Sequence, residues 1–376
     1  VTIFPRYKTK PLAVNEEVVN YKLTNQTLYS HQIIPYNWFL KIFKVLWLFV
    51  TCIWKNPSAL FRSLNILKYK RDAINFRYFL YAIQFLDKDV IHCHYGTNGR
   101  EYLFLKEIFG KKIKYITTFH AYELTKNEQC QNGTYDELFS KGDLFLPISN
   151  NWKYKLRDMG CPIERIKVHH MGINIDKFIF RERVISEGKI CLLTVARLVE
   201  KKGIEYSIRA VAKILQQYPQ IVYTIVGDGP LKGELEKLID ELGLQKHVYL
   251  LGSLPSHKVS DLFNQSHIFI LPSVTAQDGD QEGIPVSLME AMSVGLPVIS
   301  TFHSGIPELI TDGKDGFLVS ERNDSAIAEK LIHLIEHQEQ WHDMVQSGRK
   351  KNEEEFEINK LNNHLVEIFK TTDSNP

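Results

Sequence analysis

Short, nearly continuous apolar runs alternate with stretches of helical composition along most of this chain, and that alternation constrains its fold more than any other feature. One set of runs is "VIHCHY" (90–95), "KYITTFH" (114–120), "LFLPIS" (144–149) and "IKVHHMGI" (166–173). A second set is "ICLLTVARL" (190–198), "VYTIVG" (222–227), "VYLLGS" (248–253), "IFILPS" (268–273) and "PVIST" (297–301). Helical stretches at 204–217, 231–242 and 285–294 separate them. Strands without polar alternation are buried on both faces, which calls for a parallel sheet with helices on either side. Two such sets predict an α/β chain of two Rossmann-like domains, and 376 residues are too many for one ordinary core. The charged stretch "RERVISEGK" (181–189) is the natural linker. The expected division is therefore 1–184, 185–350, and a final segment 351–376. That segment carries a helix near 353–370 with Phe356, Leu361, Leu365, Ile368 and Phe369 to bury.

Charge divides along the same line. Residues 1–184 hold 28 Lys and Arg against 16 Asp and Glu, a net of +12, whereas residues 185–376 hold 18 against 28, a net of −10. A basic half suits anionic partners. No nucleic-acid recognition motif accompanies it, so nucleic acid is not an expected partner. The five cysteines are scattered, form neither a disulfide framework nor a metal knuckle, and suit a reducing cytoplasm. Residues 37–57 are apolar and aromatic, yet their charge-free run, Val45 to Trp54, is only 10 residues long. Spanning a bilayer takes about 20. Trp38, Trp47 and Trp54 with flanking lysines suit a helix lying in a membrane interface. A core or lid helix of the first domain fits as well.

Several constellations could carry chemistry. In "QEGIPVSLMEAM", Glu282 and Glu290 flank a helix start at Gly283, Ile284 and Pro285, with Gly295 and Pro297 closing the helix. A helix N-terminus suits phosphate. Eight helical residues between the carboxylates would span about 12 Å, near the ribose-to-sugar distance of an extended nucleotide sugar. A capping Glu plus a surface Glu is the plainer reading. Arg197 ends an apolar strand and Lys202 follows it before Gly203, at the kind of strand end that lines a ligand crevice. Gly227, Gly229 and Gly233 have a spacing that departs from the dinucleotide fingerprint, and a tight turn explains them equally well. Asp278-Gly279-Asp280 imitates a metal-holding DxD, but a divalent cation wants more oxygen ligands, so no metal is expected. His120 ends a strand of the first domain, where a functional role outweighs a structural one; His92, His94, His169 and His170 read as structural.

Together these residues resemble the retaining GT-B glycosyltransferases of family 4, most closely the bacterial exopolysaccharide enzymes of the colanic acid and amylovoran type. The resemblance runs from about residue 88 onward. It rests on "IHCHYGTNG" (91–99), "TTFHAYEL" (117–124), "ARLVEKKG" (196–203), "GDGPL" (227–231), "SVTAQDGDQEGIPVSLMEAMSVGLPVIST" (273–301) and "HSGIPELI" (303–310). It implies a metal-independent hexosyltransferase with no cofactor, using a nucleotide-diphosphate sugar and a saccharide acceptor, lipid-linked, in exopolysaccharide or capsule synthesis. It implies peripheral attachment to the cytoplasmic face of the cell membrane, through 37–57 and the basic half. Arg197 and Lys202 would bind the diphosphate, Glu290 the ribose, and Glu282 the donor sugar beside His120. Gly283, Ile284 and Pro285 would offer backbone contacts, Gly227 and Gly229 a nucleotide loop, and the last helix would return to the first domain. Ala121 and Asn174 depart from the usual Gly and Asp. The opening "VTIF" reads as a second strand, with roughly 25–35 residues before it absent. An epimerase or phosphorylase on the same fold, or a non-catalytic assembly subunit, are the competing expectations.

Overall fold

The computed structural model describes residues 38–55, 57–63, 88–109, 113–125, 133–185 and 188–371. The expected strand at "VTIF" lies outside them, as do Asn37, Asn56 and residues 186–187 of the expected linker. The chain divides into two compact units, residues 1–91 with 101–115, and residues 92–100 with 116–376.

In the first unit, helix α1 (Trp38–Lys55) is followed by a short helix, Pro57–Ser63, and a further one at Phe104–Phe109. Arg62 donates from Nη1 to the carbonyl of Ile108 at 3.2 Å. Along α1, Phe39, Phe43, Trp47 and Trp54 are exposed. Among the described residues no helix is long and apolar enough to cross a membrane.

The N-terminal sheet has strand order β1-β2-β3, with β1 Val90–His94, β2 Lys114–Phe119 and β3 Leu144–Pro147. β2 and β3 pair in parallel, with Thr117 opposite Phe145. Helix α2 (Asn150–Asp158) leaves β3 through the Ser149 cap, whose side chain accepts from the Trp152 amide. The strand expected at 166–173 is not formed. Its first half follows β3 through Lys167 N to Phe145 O and His169 N to Pro147 O, each 3.0 Å. Its second half instead bonds at Ile173 to Phe356. Backbone groups shared between two partners leave no continuous ladder.

The C-terminal sheet is six-stranded and wholly parallel, in order β6-β5-β4-β7-β8-β9. Its strands are β4 Ile190–Val195, β5 Ile221–Val226, β6 Val248–Leu250, β7 Ile268–Ile270, β8 Val298–Thr301 and β9 Phe317–Val319. This is the doubly wound order, in which the winding reverses between β4 and β7 and leaves a crevice at their carboxyl ends. Helix α3 (Ile204–Ile214) follows β4, and α4 (Val286–Ser293) precedes β8. The apolar runs that make these strands are buried on both sides, as the two clusters around Ile190, Tyr223 and Ile270 and around Leu193, Phe269 and Leu288 show.

The single final helix expected near 353–370 is two, α5 (Trp341–Glu355) and α6 (Ile358–Thr371). The break falls at buried Phe356, whose carbonyl accepts from Ile173 N at 3.0 Å while Ile358 N donates to Ile173 O at 2.9 Å. Those bonds replace the helical ones. His169 Nε2 at 3.1 Å from Leu361 O and Phe369 beside the His92 ring bring α6 back to the β1 and β3 ends.

Glycine spacing has a packing cause at the end of β5. A Cβ on Gly227 (φ +141°) would stand 1.8 Å from Ala196 O, whereas one on Gly233 would meet nothing within 4 Å. Gly227→Ala is expected to destabilise the fold by about 2 kcal/mol or more, and Gly233→Ala to be neutral or stabilising by up to about 1 kcal/mol. Urea unfolding of both variants checks the contrast.

Candidate functional site

Arg197, Lys202 and Glu282 lie on the segments that follow the carboxyl ends of β4 and β7. After β4 the chain runs Ala196–Arg197–Leu198 against the end of β5, through Ala196 N to Val226 O (2.9 Å) and Leu198 N to Asp228 O (3.0 Å). Gly227 and Gly229 leave room for this approach, since a Cβ on Gly229 would stand 2.4 Å from Leu198 O. Their place in the structure is thus to seat the segment that presents Arg197. Arg197 itself is exposed. A single turn, Glu200–Lys202, then ends in Gly203 in the left-handed region (φ +60°), where a Cβ would stand 2.0 Å from Pro272 O. Val274 N donates to Lys201 O at 2.9 Å, which joins the loops after β4 and β7.

Within that junction lies Glu282, only 7% exposed. Lys202 Nζ is 2.9 Å from its Oε2, and Lys201 Nζ is 3.4 Å from its Oε1. Burial pushes this carboxyl up, but Lys202 and then Lys201 outweigh it and hold the group below the usual glutamate range. Among the described residues Oε1 has no hydrogen-bond partner by geometry, although the Lys201 charge stands 3.4 Å from it. Lys201 bonds Asp280 Oδ1 (3.1 Å) and Gln281 O (3.2 Å) instead. The Asp278-Gly279-Asp280 sequence is thus engaged: Asp280 pairs with a lysine, and Asp278 Oδ1 accepts from the Asp280 amide. Among the described residues no group of three or more His, Cys, Asp or Glu side chains is placed to hold a metal.

Glu282 and Glu290 are not separated by eight helical residues, contrary to the expected spacing of about 12 Å. Residues Glu282–Pro285 are not helical; Pro285 is the N-cap, and α4 starts at Val286. Only four helical steps, about 6 Å, separate Val286 from Glu290, because Pro285 holds an extended ψ of 123°. Gly283 packs on the end of β3, where a Cβ would stand 2.3 Å from Ile148 Cδ1, and Ile284 is buried. Glu290 is mostly buried without an ion pair among the described residues, and burial pushes its carboxyl up to about 7.

His120 sits at the end of β2. Its amide and that of Gly96 both donate to Glu123 Oε1, at 2.9 and 3.1 Å. Its Nε2 lies 3.0 Å from His94 Nδ1. Burial, then His94, lowers the His120 imidazole to about 4, and burial lowers His92 to about 3, so both are neutral at neutral pH. His94, read from sequence as structural, is thus the partner of His120. Ala121 takes φ +84°, a left-handed conformation that explains why glycine is usual there. Asn174 accepts from the Asp176 amide at 3.1 Å, the capping bond an Asp would make.

Two further residues escape sequence reading. Glu308 accepts from the Asn150 amide at 2.8 Å and from Asn150 Nδ2 at 2.9 Å, capping α2, and His170 Nε2 is 3.0 Å from it. His303 stands behind Glu282, its Nε2 accepting the Glu282 amide at 3.0 Å. Beside the loop that leads to Glu282 lies a cavity of about 480 Å³, lined by Leu124, Thr125, Asn151, Tyr154, Lys155 and Gln281 among others. The structure thus joins Lys202 to Glu282 and adds Lys201. It makes no hydrogen bond or ion pair, among the described residues, from either to Arg197, Glu290 or His120.

Comparison with known proteins bears on this arrangement. Residues 176–351 match the profile of the glycosyl transferases group 1, and residues 54–177 that of Glycosyltransferase Family 4. The chain is 36% identical to WcaL of Salmonella typhimurium, named for colanic acid biosynthesis, over 84% of this chain and 79% of that one. It is 39% identical to the amylovoran biosynthesis glycosyltransferase AmsK of Erwinia amylovora, over 75% of this chain and 70% of that one. The crystal structure of Anabaena HepE with UDP superimposes with a TM-score of 0.68 at 19% identity, covering 78% of this chain and 82% of the other. A glycosyltransferase from Rickettsia africae gives 0.68 at 20%, covering 82% and 84%. At such identity the solved structures speak for the fold alone.

Glu290 yields a test of the site's electrostatics. The folded chain keeps this proton where the unfolded chain has released it, between about pH 4.5 and about 7. The stability that the protonated group contributes is complete below about 4.5 and is lost as pH rises through about 7. Glu290→Gln cannot ionise, so its stability relative to the parent should rise by about 3 kcal/mol across that window. Denaturant titrations at a series of pH values check it, and a pH-independent difference contradicts it.

Proposed function

Because the chain belongs to the group 1, family 4 glycosyltransferases and has their GT-B fold of two Rossmann-like domains, we propose that it moves a hexose from a nucleotide-diphosphate sugar to a saccharide acceptor with retention of anomeric configuration. The observation that carries the donor reading is Glu282. A buried carboxylate with one oxygen held by Lys202 and the other, 3.4 Å from Lys201, without a hydrogen bond among the described residues is poised to accept from a sugar hydroxyl. It stands at the switch point of the C-terminal sheet, on the loop after β7, with exposed Arg197 at the end of neighbouring β4.

In this reading Arg197 and Lys202 receive the diphosphate, with Lys202 turning from Glu282 toward the incoming charge. Glu290 accepts from the ribose hydroxyls. His120, kept neutral, faces the transferred sugar with His94 behind it. The acceptor hydroxyl approaches from the face that the diphosphate leaves. The anomeric carbon–phosphate oxygen bond breaks, the bond to the acceptor oxygen forms, and the acceptor's proton passes to the departing phosphate. The side-chain cations Arg197 and Lys202 offset the leaving group's charge, so the step is metal-independent and needs no cofactor. The cavity beside Gln281, with Tyr154 and Lys155, is a suitable place for the acceptor.

The relatives' names point to exopolysaccharide synthesis, and the UDP in HepE makes UDP-sugars the first donors to try. The exposed apolar residues of α1 and the basic N-terminal half favour peripheral binding at the cytoplasmic membrane face and a lipid-linked acceptor. In functional terms residues 1–184 form the acceptor side, 185–350 the donor side, and 351–376 the returning segment.

Thermal shift with UDP, GDP and ADP, followed by mass spectrometry of products from a nucleotide-sugar panel with lipid extract, tests this reading. One nucleotide should stabilise the fold. Arg197→Ala should leave the unfolding midpoint unchanged while lowering kcat/KM by on the order of 10²-fold or more. No stabilisation by any nucleotide, or an Arg197→Ala variant of full activity, contradicts it; free sugar phosphate formed without acceptor indicates a phosphorylase. In flotation assays binding should increase with the anionic lipid content of the vesicles, and indifference to it removes the membrane role of α1.

A further inference from the structure

The loop that carries Glu282 is held at both ends by one carboxylate, and that carboxylate is not on the loop. Glu321 follows β9. Its Oε2 accepts the amide of Thr275, at the start of the loop, at 2.9 Å. Its Oε1 lies 2.6 Å from His303 Nδ1. The opposite ring atom, His303 Nε2, lies 3.0 Å from the amide of Glu282, at the loop's end. A peptide N–H can only donate, so Nε2 must carry its lone pair and the neutral ring must carry its proton on Nδ1, aimed at Glu321. The imidazole is 1% exposed, so bulk solvent does not reach its ring nitrogens and both are bonded within the protein. Ser304 Oγ donates to the carbonyl of Glu282 at 2.6 Å, so both backbone polar groups of that residue are taken by the segment 303–304.

We propose that the Glu321–His303 pair is a positioning device for the donor sugar. It fixes the backbone of Glu282, and through it the direction of the carboxylate, without touching the substrate. The proposal rests on the reading of Glu282 as the group that meets the donor sugar. No sequence spacing marks His303 or Glu321, and among the described residues neither makes a hydrogen bond or ion pair to the residues assigned to the diphosphate or the ribose. Loss of the device therefore acts on sugar transfer while nucleotide binding through Arg197 and Glu290 persists. Such a split separates positioning from general structural support.

Two variants and one spectrum test it. In His303→Phe the ring remains but the acceptor for the Glu282 amide is lost. Its kcat should fall by on the order of 10²-fold, with nucleotide affinity within about twofold of the parent. In His303→Gln the amide oxygen reaches the place of Nε2, and most of that kcat should return. Histidine-selective ¹⁵N NMR of the parent chain should show an imidazole with a protonated Nδ1 and a bare Nε2 whose signals are lost in His303→Gln. An unchanged kcat in His303→Phe, a His303→Gln as impaired as His303→Phe, a loss of kcat matched by loss of nucleotide affinity, or a His303 protonated on Nε2 each overturns the proposal. A parent chain that binds nucleotide and turns over no donor overturns the reading of Glu282, and this inference with it; the first four outcomes overturn the inference alone.

Discussion

The buried ion cluster of Glu282 with Lys202 and Lys201 is the interaction on which the site depends. A carboxylate out of water is costly unless cations and hydrogen bonds compensate it. Here the compensation comes from the next loop of the sheet, not from the carboxylate's own. Lys202 bonds it directly, and Lys201 stands beside it while bonding Asp280 and Gln281. That arrangement requires the loops after β4 and β7 to touch. The left-handed Gly203 against Pro272, and the Val274 amide on Lys201, are how they do so. The ion cluster and the sheet's reversal of winding are thus one feature: only there do two successive loops diverge enough to form a crevice and remain close enough to share charges.

A second level of support comes from the end of β3. Gly283 and Gly305 are each crowded by Ile148 or Ser149, so a side chain at either would push the Glu282 loop or the "HSGIPELI" segment away. Glu308 from that segment caps α2, with His170 bonded to the same carboxylate. Burial and hydrogen bonds to His170 and the Asn150 and Asn151 amides act in opposite directions on Glu308, and the bonds prevail, keeping it ionised as a cap should be. The break between α5 and α6 at Phe356, bonded across to Ile173, belongs to the same set of ties.

Much of this was legible in the sequence because parallel strands covered on both faces are written as continuous apolar runs. β4, β5, β7 and β8 coincide with such runs. β9 does not stand out, since "FLV" is three residues between polar turns. The stretch 166–173 reads as a strand but divides its bonds between Phe145 and Phe356, a tertiary choice that no local pattern carries. Arg197, Lys202, Glu282 and Glu290 were visible as strand-end cations and paired carboxylates. The interval between Glu282 and Glu290 reads as helix in the sequence because Pro285 suits a first helical turn as well as the cap it occupies. Lys201 was hidden by its twin, Lys202. His303, Glu321 and Glu308 were hidden because their partners lie far off in sequence, 158 residues away for Glu308 and Asn150. The close backbone of Ala196 and Leu198 supplies the packing reason for Gly227 and Gly229 that the tight-turn reading allowed, and it leaves their expected place in a nucleotide loop open.

The measurement that tests the account most directly is a crystal structure of the chain with an intact nucleotide-diphosphate sugar. The diphosphate should lie between Arg197 and Lys202, with the Lys202 ammonium moved from Glu282 toward it and Glu282 Oε1 accepting from a hydroxyl of the sugar. A nucleotide seated away from the ends of β4 and β7, or a sugar that leaves Glu282 enclosed between its lysines, would contradict it.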